Sequence, residues 1–316
     1  MKKPPLHVLN KGVSELPFPL PDGEMKADHR YRIDSKIHTY EDKRKKVSQF
    51  NLTSDMFFSK VMEDPMACQE VIQIITGVNL IVKAIKTQYS IRNLENHSVV
   101  LDVLAEEEQG RMINVEIHPQ EDEDHVRRVR FHLSSIDQSF LEKGMSFNEI
   151  PDVYLIYITE KDFIGENKGI YVIQRTIQGT ERTLYNGVHE LYVNLKGKTD
   201  KKEQAELLAY MAKSDSNYQT YTFPNLVKRV KLLKENKEGV EIMCEIMERE
   251  RAEGYAECYA YIIAQIRKKS LKGNTPEQAA EALELDVSYV SNIMALLEDN
   301  PGKSNEEIAM KIIIGS

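Results

Sequence analysis

The apolar positions of this 316-residue chain change period several times, and each change predicts a different element. Thr53 or Ser54 is suited to cap a helix that runs through Asp55, Phe57, Phe58, Val61 and Met62. A second helix follows over Pro65–Thr76, with Pro at its start and Gly77 as its stop. Two alternating runs, around 97–105 and 111–118, have the two-residue period of strands. The pattern then becomes helical over about 123–143, where Val129, Leu133, Ile136 and Phe140 form one apolar row and Gly144 ends it. Val153–Thr159 is an unbroken apolar run, the mark of a strand buried on both faces. Shorter strands are expected at 170–176, 182–185 and 190–195. After Lys196 the chain reads as helix, with breaks near 215–223, 236–239 and 272–276. Strands early and helices late predict an α/β domain with a helical C-terminal region.

Proline density sets the first segment apart, because five of the eleven prolines lie within residues 1–21. Residues 1–47 are therefore expected to be an arm or linker, closed by Lys43-Arg44-Lys45-Lys46. That basic run is either a solvated linker or a patch for phosphate. The remaining divisions are a core over 48–200, a helical extension over 201–272 and a helical hairpin over 273–316. The hairpin resembles a helix-turn-helix, with Ala280, Leu283, Leu285, Val290 and Ile293 as packing positions. Glu284 stands where such a turn usually has Gly, and Glu281 and Asp286 would repel phosphate. Packing, or formation of a homo-oligomer through the C-terminal helices, is an equally good reading.

Composition narrows the function classes. The formal net charge of −8 excludes DNA binding by bulk charge, so any such binding needs local basic groups. The three cysteines are far apart, and neither a disulfide framework nor a Cys-rich zinc site is expected. No apolar run is long enough for a membrane span, and the first residues lack the apolar stretch of a secretory signal. A cytoplasmic chain with no membrane partner is the expectation.

The most informative segment is Ser98–His118. Its two alternating runs flank Glu108-Gln109-Gly110, and Gly at the third loop position supplies the positive φ that a three-residue hairpin needs. This loop sets Glu107 opposite Arg111, Leu104 opposite Asn114, Asp102 opposite Glu116 and Val100 opposite His118. One face is then wholly apolar, while the other gathers Asp102, Asn114, Glu116 and His118. Two carboxylates directly opposite each other destabilise a hairpin. A divalent cation between them offsets that repulsion, since hard cations seek carboxylate oxygens. A hairpin with one solvent-facing side explains the same pattern without a cation, and a bulge would break the pairing.

These residues resemble the PD-(D/E)XK nuclease superfamily, and residues 51 to about 250 are similar to its recombination-promoting nuclease (Rpn-type) and transposase branch. The resemblance rests on Leu52-Thr53-Ser54-Asp55-Met56-Phe57-Phe58, Leu101-Asp102-Val103, Asn114-Val115-Glu116-Ile117, Arg128-Val129-Arg130-Phe131-His132-Leu133-Ser134, Leu141-Glu142-Lys143-Gly144 and Pro151-Asp152-Val153-Tyr154. It implies a restriction-endonuclease-like mixed sheet flanked by helices, and a metal-dependent DNA endonuclease linked to recombination, mobile elements or phage defence. Asp102 and Glu116 would hold Mg²⁺ or Mn²⁺, and Asp55 would be a third carboxylate. Arg127, Arg128 and Arg130, with Gln138 further along the same helix, are candidates for contact with DNA. The plainer reading of the arginines is pairing along the helix, for example Asp124 with Arg128.

The chain departs from the branch at two positions. His118 replaces the branch's Gln and the superfamily's Lys, and His132 stands where an aromatic hydroxyl is usual. A neutral imidazole still moves protons near pH 7, so His118 is the candidate to orient or deprotonate the attacking water. The same replacement motivates the rival reading, a catalytically silent nuclease-fold protein that binds DNA or a protein partner. A purely structural assembly protein is the third. His97 and His125 read as surface residues, and Met243 and Met247 as packing.

Overall fold

The computed structural model describes residues 39–91, 98–119 and 123–314. Most of the expected arm, and His97, lie outside the described residues. The basic run does not lie in a linker, because Tyr40–Ser48 is a helix, α1. Thr39 caps it, Val47 is buried, and Tyr40 donates to the Glu235 carbonyl at 2.6 Å. Here acids in the first turn and lysines in the last match the helix dipole, so the charge run belongs to a helix that is docked along one side.

Helices α2 (Asp55–Met62) and α3 (Pro65–Thr76) follow as their patterns predict. Asp64 accepts from Met66 and Ala67 at the start of α3, and Gly77 closes it in the left-handed region at φ 71°. The next element, β1 (Val82–Ile91), has no counterpart in the expected elements. It is a sheet edge, half exposed along its length, and its register against the neighbouring strand shifts between Val82 and Ala84. That bulge breaks the two-residue period on which strand recognition depends.

β2 (Val99–Glu107) and β3 (Met112–His118) form the hairpin, with Gly110 at φ 83°. Their pairing runs from Glu106–Met112 to Val103–Val115, the register set by the three-residue loop. α4 (His125–Phe140) is shorter than its pattern, and β4 (Val153–Thr159) lies buried along its whole length. β5 (Ile170–Ile173) and β6 (Val188–Asn194) complete the sheet. The segment 182–185 is not a strand and makes only an isolated bridge between Thr176 and Thr183. The order is β1-β2-β3-β4-β6-β5, antiparallel at both edges and parallel in the β3-β4-β6 centre.

The helical part comprises α5 (Lys202–Lys213), α6 (Pro224–Glu235), α7 (Lys237–Ser270), α8 (Pro276–Leu283), α9 (Val287–Asp299) and α10 (Asn305–Ile314). The expected break at 236–239 contracts to Asn236. The chain thus has a mixed sheet flanked by helices and a helical C-terminal region. None of the described helices is long and apolar enough to cross a membrane.

Packing divides the chain into two compact units within α7, one ending at Cys244 and one from Glu245 onward. The sequence-based cuts at 200 and 272 fall elsewhere, because α5 and α6 pack with the sheet unit: Gln204 donates to the carbonyls of Ile74 and Ile75, and Arg229 to that of Lys60. The second unit buries Ala256, Ala260 and Ile263 of α7 with Ala280, Val290, Ile293 and Ile308. Its turn holds Glu284 at φ 57°, a left-handed position taken without glycine.

Candidate active site

The sequence leaves open whether the polar side of the β2–β3 hairpin faces water. It does not: Asp102 is 8% exposed, Glu116 5% and Asn114 0%. The reason is tertiary, since α2 brings Asp55 and Ser59 to this side and α4 brings His132. A buried carboxylate must find hydrogen bonds or a counter-charge.

The regular ladder ends at Val103–Val115, and beyond it the two acids take its place. The Ile117 amide donates to Asp102 Oδ2 at 2.9 Å, and the Asp102 amide donates to Glu116 Oε1 at 3.2 Å. Each carboxylate thus holds a backbone amide of the facing strand. Glu116 Oε1 also accepts from Asn114 Nδ2 at 2.6 Å, while that same nitrogen donates to the Val103 carbonyl at 3.0 Å.

The other oxygen of each acid is held more weakly. Asp102 Oδ1 lies 3.5 Å from Gln88 Nε2, and Glu116 Oε2 lies 3.5 Å from His132 Nδ1. The latter is within ion-pair range, yet the ring nitrogen makes no hydrogen bond. Burial pushes the Asp102 carboxyl well above its ordinary value, and the nearby charges of Glu116 and Asp55 push it further. The Ile117 amide opposes that shift.

His118 is half-buried beside a ring cluster, 5.4 Å from His125 and 5.9 Å from Tyr157 between centroids. His125 is buried rather than on the surface, its Nδ1 3.1 Å from the Tyr157 hydroxyl and its ring stacked on Phe163. Asp55 sits in the first turn of α2, exposed, and accepts from Gln88 Nε2 at 3.1 Å. Arg127 and Arg130 are exposed on α4, and Arg128 lies 3.4 Å from Asp124, the intrahelical pair. Gln138 is exposed and about 240° around α4 from His132, at about 100° per residue. It is not brought to the acids.

The family described as PD-(D/E)XK nuclease family transposase matches residues 72–251, more than half of the chain. The chain belongs to that family. Comparison with curated proteins and with solved structures returns no match. Membership in the PD-(D/E)XK transposase family supports a nuclease or transposase-like function, and nucleases of this kind typically use divalent metals. The matched segment contains β1, Asp102, Glu116, His118 and α4, whereas Asp55 and Ser59 precede it.

The oxygen donors of this candidate site are of the kind a hard divalent cation takes. Asp102 Oδ1 meets Gln88 Nε2 at 3.5 Å, Glu116 Oε2 meets His132 Nδ1 at 3.5 Å, a side-chain hydrogen bond links Asp102 with Asp55, and the buried Asn114 Oδ1 makes no hydrogen bond. Among the described residues, no three His, Cys, Asp or Glu side chains converge as a complete cation cage. Ser59, Gln88 and the contact of His132 with Glu116 are the site features that sequence reasoning missed. Gln88 had a signal only in retrospect, as it lies opposite Asp102 between the pairs Thr87–Val103 and Tyr89–Leu101.

Proposed function

We propose that this chain is a metal-dependent endonuclease that hydrolyses phosphodiester bonds in DNA, in the setting of recombination, element mobility or phage defence. The observation that supports it is the buried pair Asp102 and Glu116, each tied by one oxygen to a backbone amide of the facing strand. Asp102 and Glu116 would hold Mg²⁺ or Mn²⁺, with Asp55 assisting. When bound, the cation acidifies a water and neutralises charge on the phosphate. Asn114 fixes the Glu116 carboxylate through Oε1, and the His132 ring lies beside Oε2 at 3.5 Å. His118 orients the attacking water or accepts its proton, held by its contacts with His125 and Tyr157. Arg127 and Arg130, with Arg128, would meet the DNA phosphates, and Gln138 is a backbone contact remote from the chemistry.

The test is plasmid nicking with Mg²⁺ or Mn²⁺ by wild type and Asp102→Ala. Absence of cleavage by wild type with either metal sinks the enzymatic reading. Equal cleavage by both proteins sinks the site assignment. One observation favours the silent nuclease-fold reading, namely His118 at the position of the branch's Gln. Activity that appears only in His118→Gln would establish that reading. For the C-terminal unit we propose self-association rather than DNA contact, because Glu277, Glu281, Glu284 and Asp286 are all exposed there. Light scattering that returns a monomer at all concentrations would refute it.

A further inference from the structure

Gln88 is unusual in its backbone. The described residues include four non-glycine positions with positive φ, and three of them lie in a loop, at a helix end or in a turn: Asn167, Ser214 and Glu284. Gln88 instead sits inside β1, at φ 48°. A non-glycine residue held in this region carries backbone strain, which the surrounding contacts must offset. Its Nε2 lies 2.8 Å from Ser59 Oγ, 3.1 Å from Asp55 Oδ1 and 3.5 Å from Asp102 Oδ1. An amide nitrogen has two hydrogens, so three acceptors exceed what it can satisfy, and the contact with Asp102 is the weakest. The amide cannot be turned over without cost, since Oε1 would then face two carboxylates.

Which oxygen Gln88 engages is decisive. The groups that position the acids hold the inner oxygens: Ile117 holds Asp102 Oδ2, while Asn114 and the Asp102 amide hold Glu116 Oε1. Gln88 reaches the outer oxygen of Asp102 and a carboxylate oxygen of Asp55, the atoms a cation would use. Gln88 as a residue is exposed, whereas the acid it reaches is buried.

Resting on the metal-dependent reading above, we propose that Gln88 is a displaceable stand-in for the cation. Before a cation binds, its amide partial charge lies between Asp55 and Asp102. Entry of the cation takes over those oxygens and releases the amide. Gln88 is thereby a built-in competitor that sets how much divalent metal the site requires.

The test is Mn²⁺ affinity, from free Mn²⁺ measured by electron paramagnetic resonance, with thermal unfolding in EDTA and in saturating Mn²⁺. The full chain is compared with Gln88→Ala and Gln88→Met, both of which lack the donor. The expected result is Mn²⁺ binding at least threefold tighter in both variants, with a lower unfolding temperature in EDTA and little change in Mn²⁺. Unchanged or weaker binding in both variants, with wild type binding normally, overturns the proposal and makes Gln88 a positioning residue. If wild type binds no Mn²⁺, or Asp102→Ala binds it equally, the metal-site reading itself falls. The two failures are therefore distinguishable.

Discussion

The two ends of the β2–β3 hairpin obey opposite charge logic within one register. At the loop, Glu107 faces Arg111, and both carboxylate oxygens are used: Oε1 accepts from Arg111 Nε at 3.0 Å and Oε2 from Nη2 at 3.1 Å. Backbone amides of Gln109 and Arg111 add to Oε1. The Arg111 side chain holds the Glu107 carboxyl below its ordinary value, and burial only partly opposes it. At the open end, Asp102 faces Glu116, whose Oε2 lies 3.5 Å from the His132 ring nitrogen, and burial pushes the Asp102 carboxyl up instead. The loop end is complete as it stands. At the open end two acids face each other, an arrangement that a bound cation would offset.

The largest expected effect tests whether the open end is the chemical one. Asp102→Ala should lower metal-dependent DNA cleavage by roughly a thousandfold, about 4 kcal/mol in barrier height. A loss under tenfold in a nicking time course would place the chemistry elsewhere. Next, Arg111→Ala should destabilise the fold by about 2–3 kcal/mol, because it leaves a buried carboxylate without its partner. Urea unfolding measures this, and cleavage per folded molecule should not change. If activity falls in proportion to that of Asp102→Ala, the division between the two ends fails.

A third, smaller effect separates the ends by pH. A raised Asp102 contributes stability that is present below the ordinary unfolded value of 3.8 and is lost as pH rises through its folded value. A lowered Glu107 contributes stability that is present above the ordinary unfolded value of 4.5 and is lost as pH falls through its folded value. In EDTA, Asp102→Asn should therefore gain stability at neutral pH, by about 1 kcal/mol, and lose the decline above about pH 4 that wild type shows. Identical pH slopes for the two proteins would show that the facing acids do not repel. The smallest effect lies outside the hairpin. Arg127→Ala and Arg130→Ala should each weaken DNA binding by about three- to tenfold at moderate salt and reduce the salt slope by about 1. Gln138→Ala should leave Mn²⁺ affinity untouched, and fluorescence anisotropy at several salt concentrations would reveal any larger role for it in DNA binding.

Much of the sheet was legible because its signals are local. The three-residue loop with Gly110, the unbroken run of β4 and the cap and stop residues of α3 each act over a few positions. Membership of the PD-(D/E)XK family was legible for the same reason, since its motifs are short and ordered along the chain. β1 was not, because a bulge shifts its phase and Gln88 leaves the strand conformation where it meets the acids. The helix at Tyr40–Ser48 was not, because its charged sequence hides one buried position, Val47, that acquires meaning only against a partner.

The pairing of the acids is written in the order of residues alone. A two-residue period and a fixed loop length leave one register so long as no bulge intervenes, and that register sets Asp102 against Glu116. That the pair lies away from water is a matter of packing, since burial depends on α2 and α4, which are distant in sequence from one another. Packing also chose the company the pair keeps: Gln88 and His132 reach it from two separate elements, and Ser59 of a third meets Gln88. Repulsion between two carboxylates is modest in water and large in a dry site, so the packing that excludes water makes costly a pairing that the sequence alone leaves cheap.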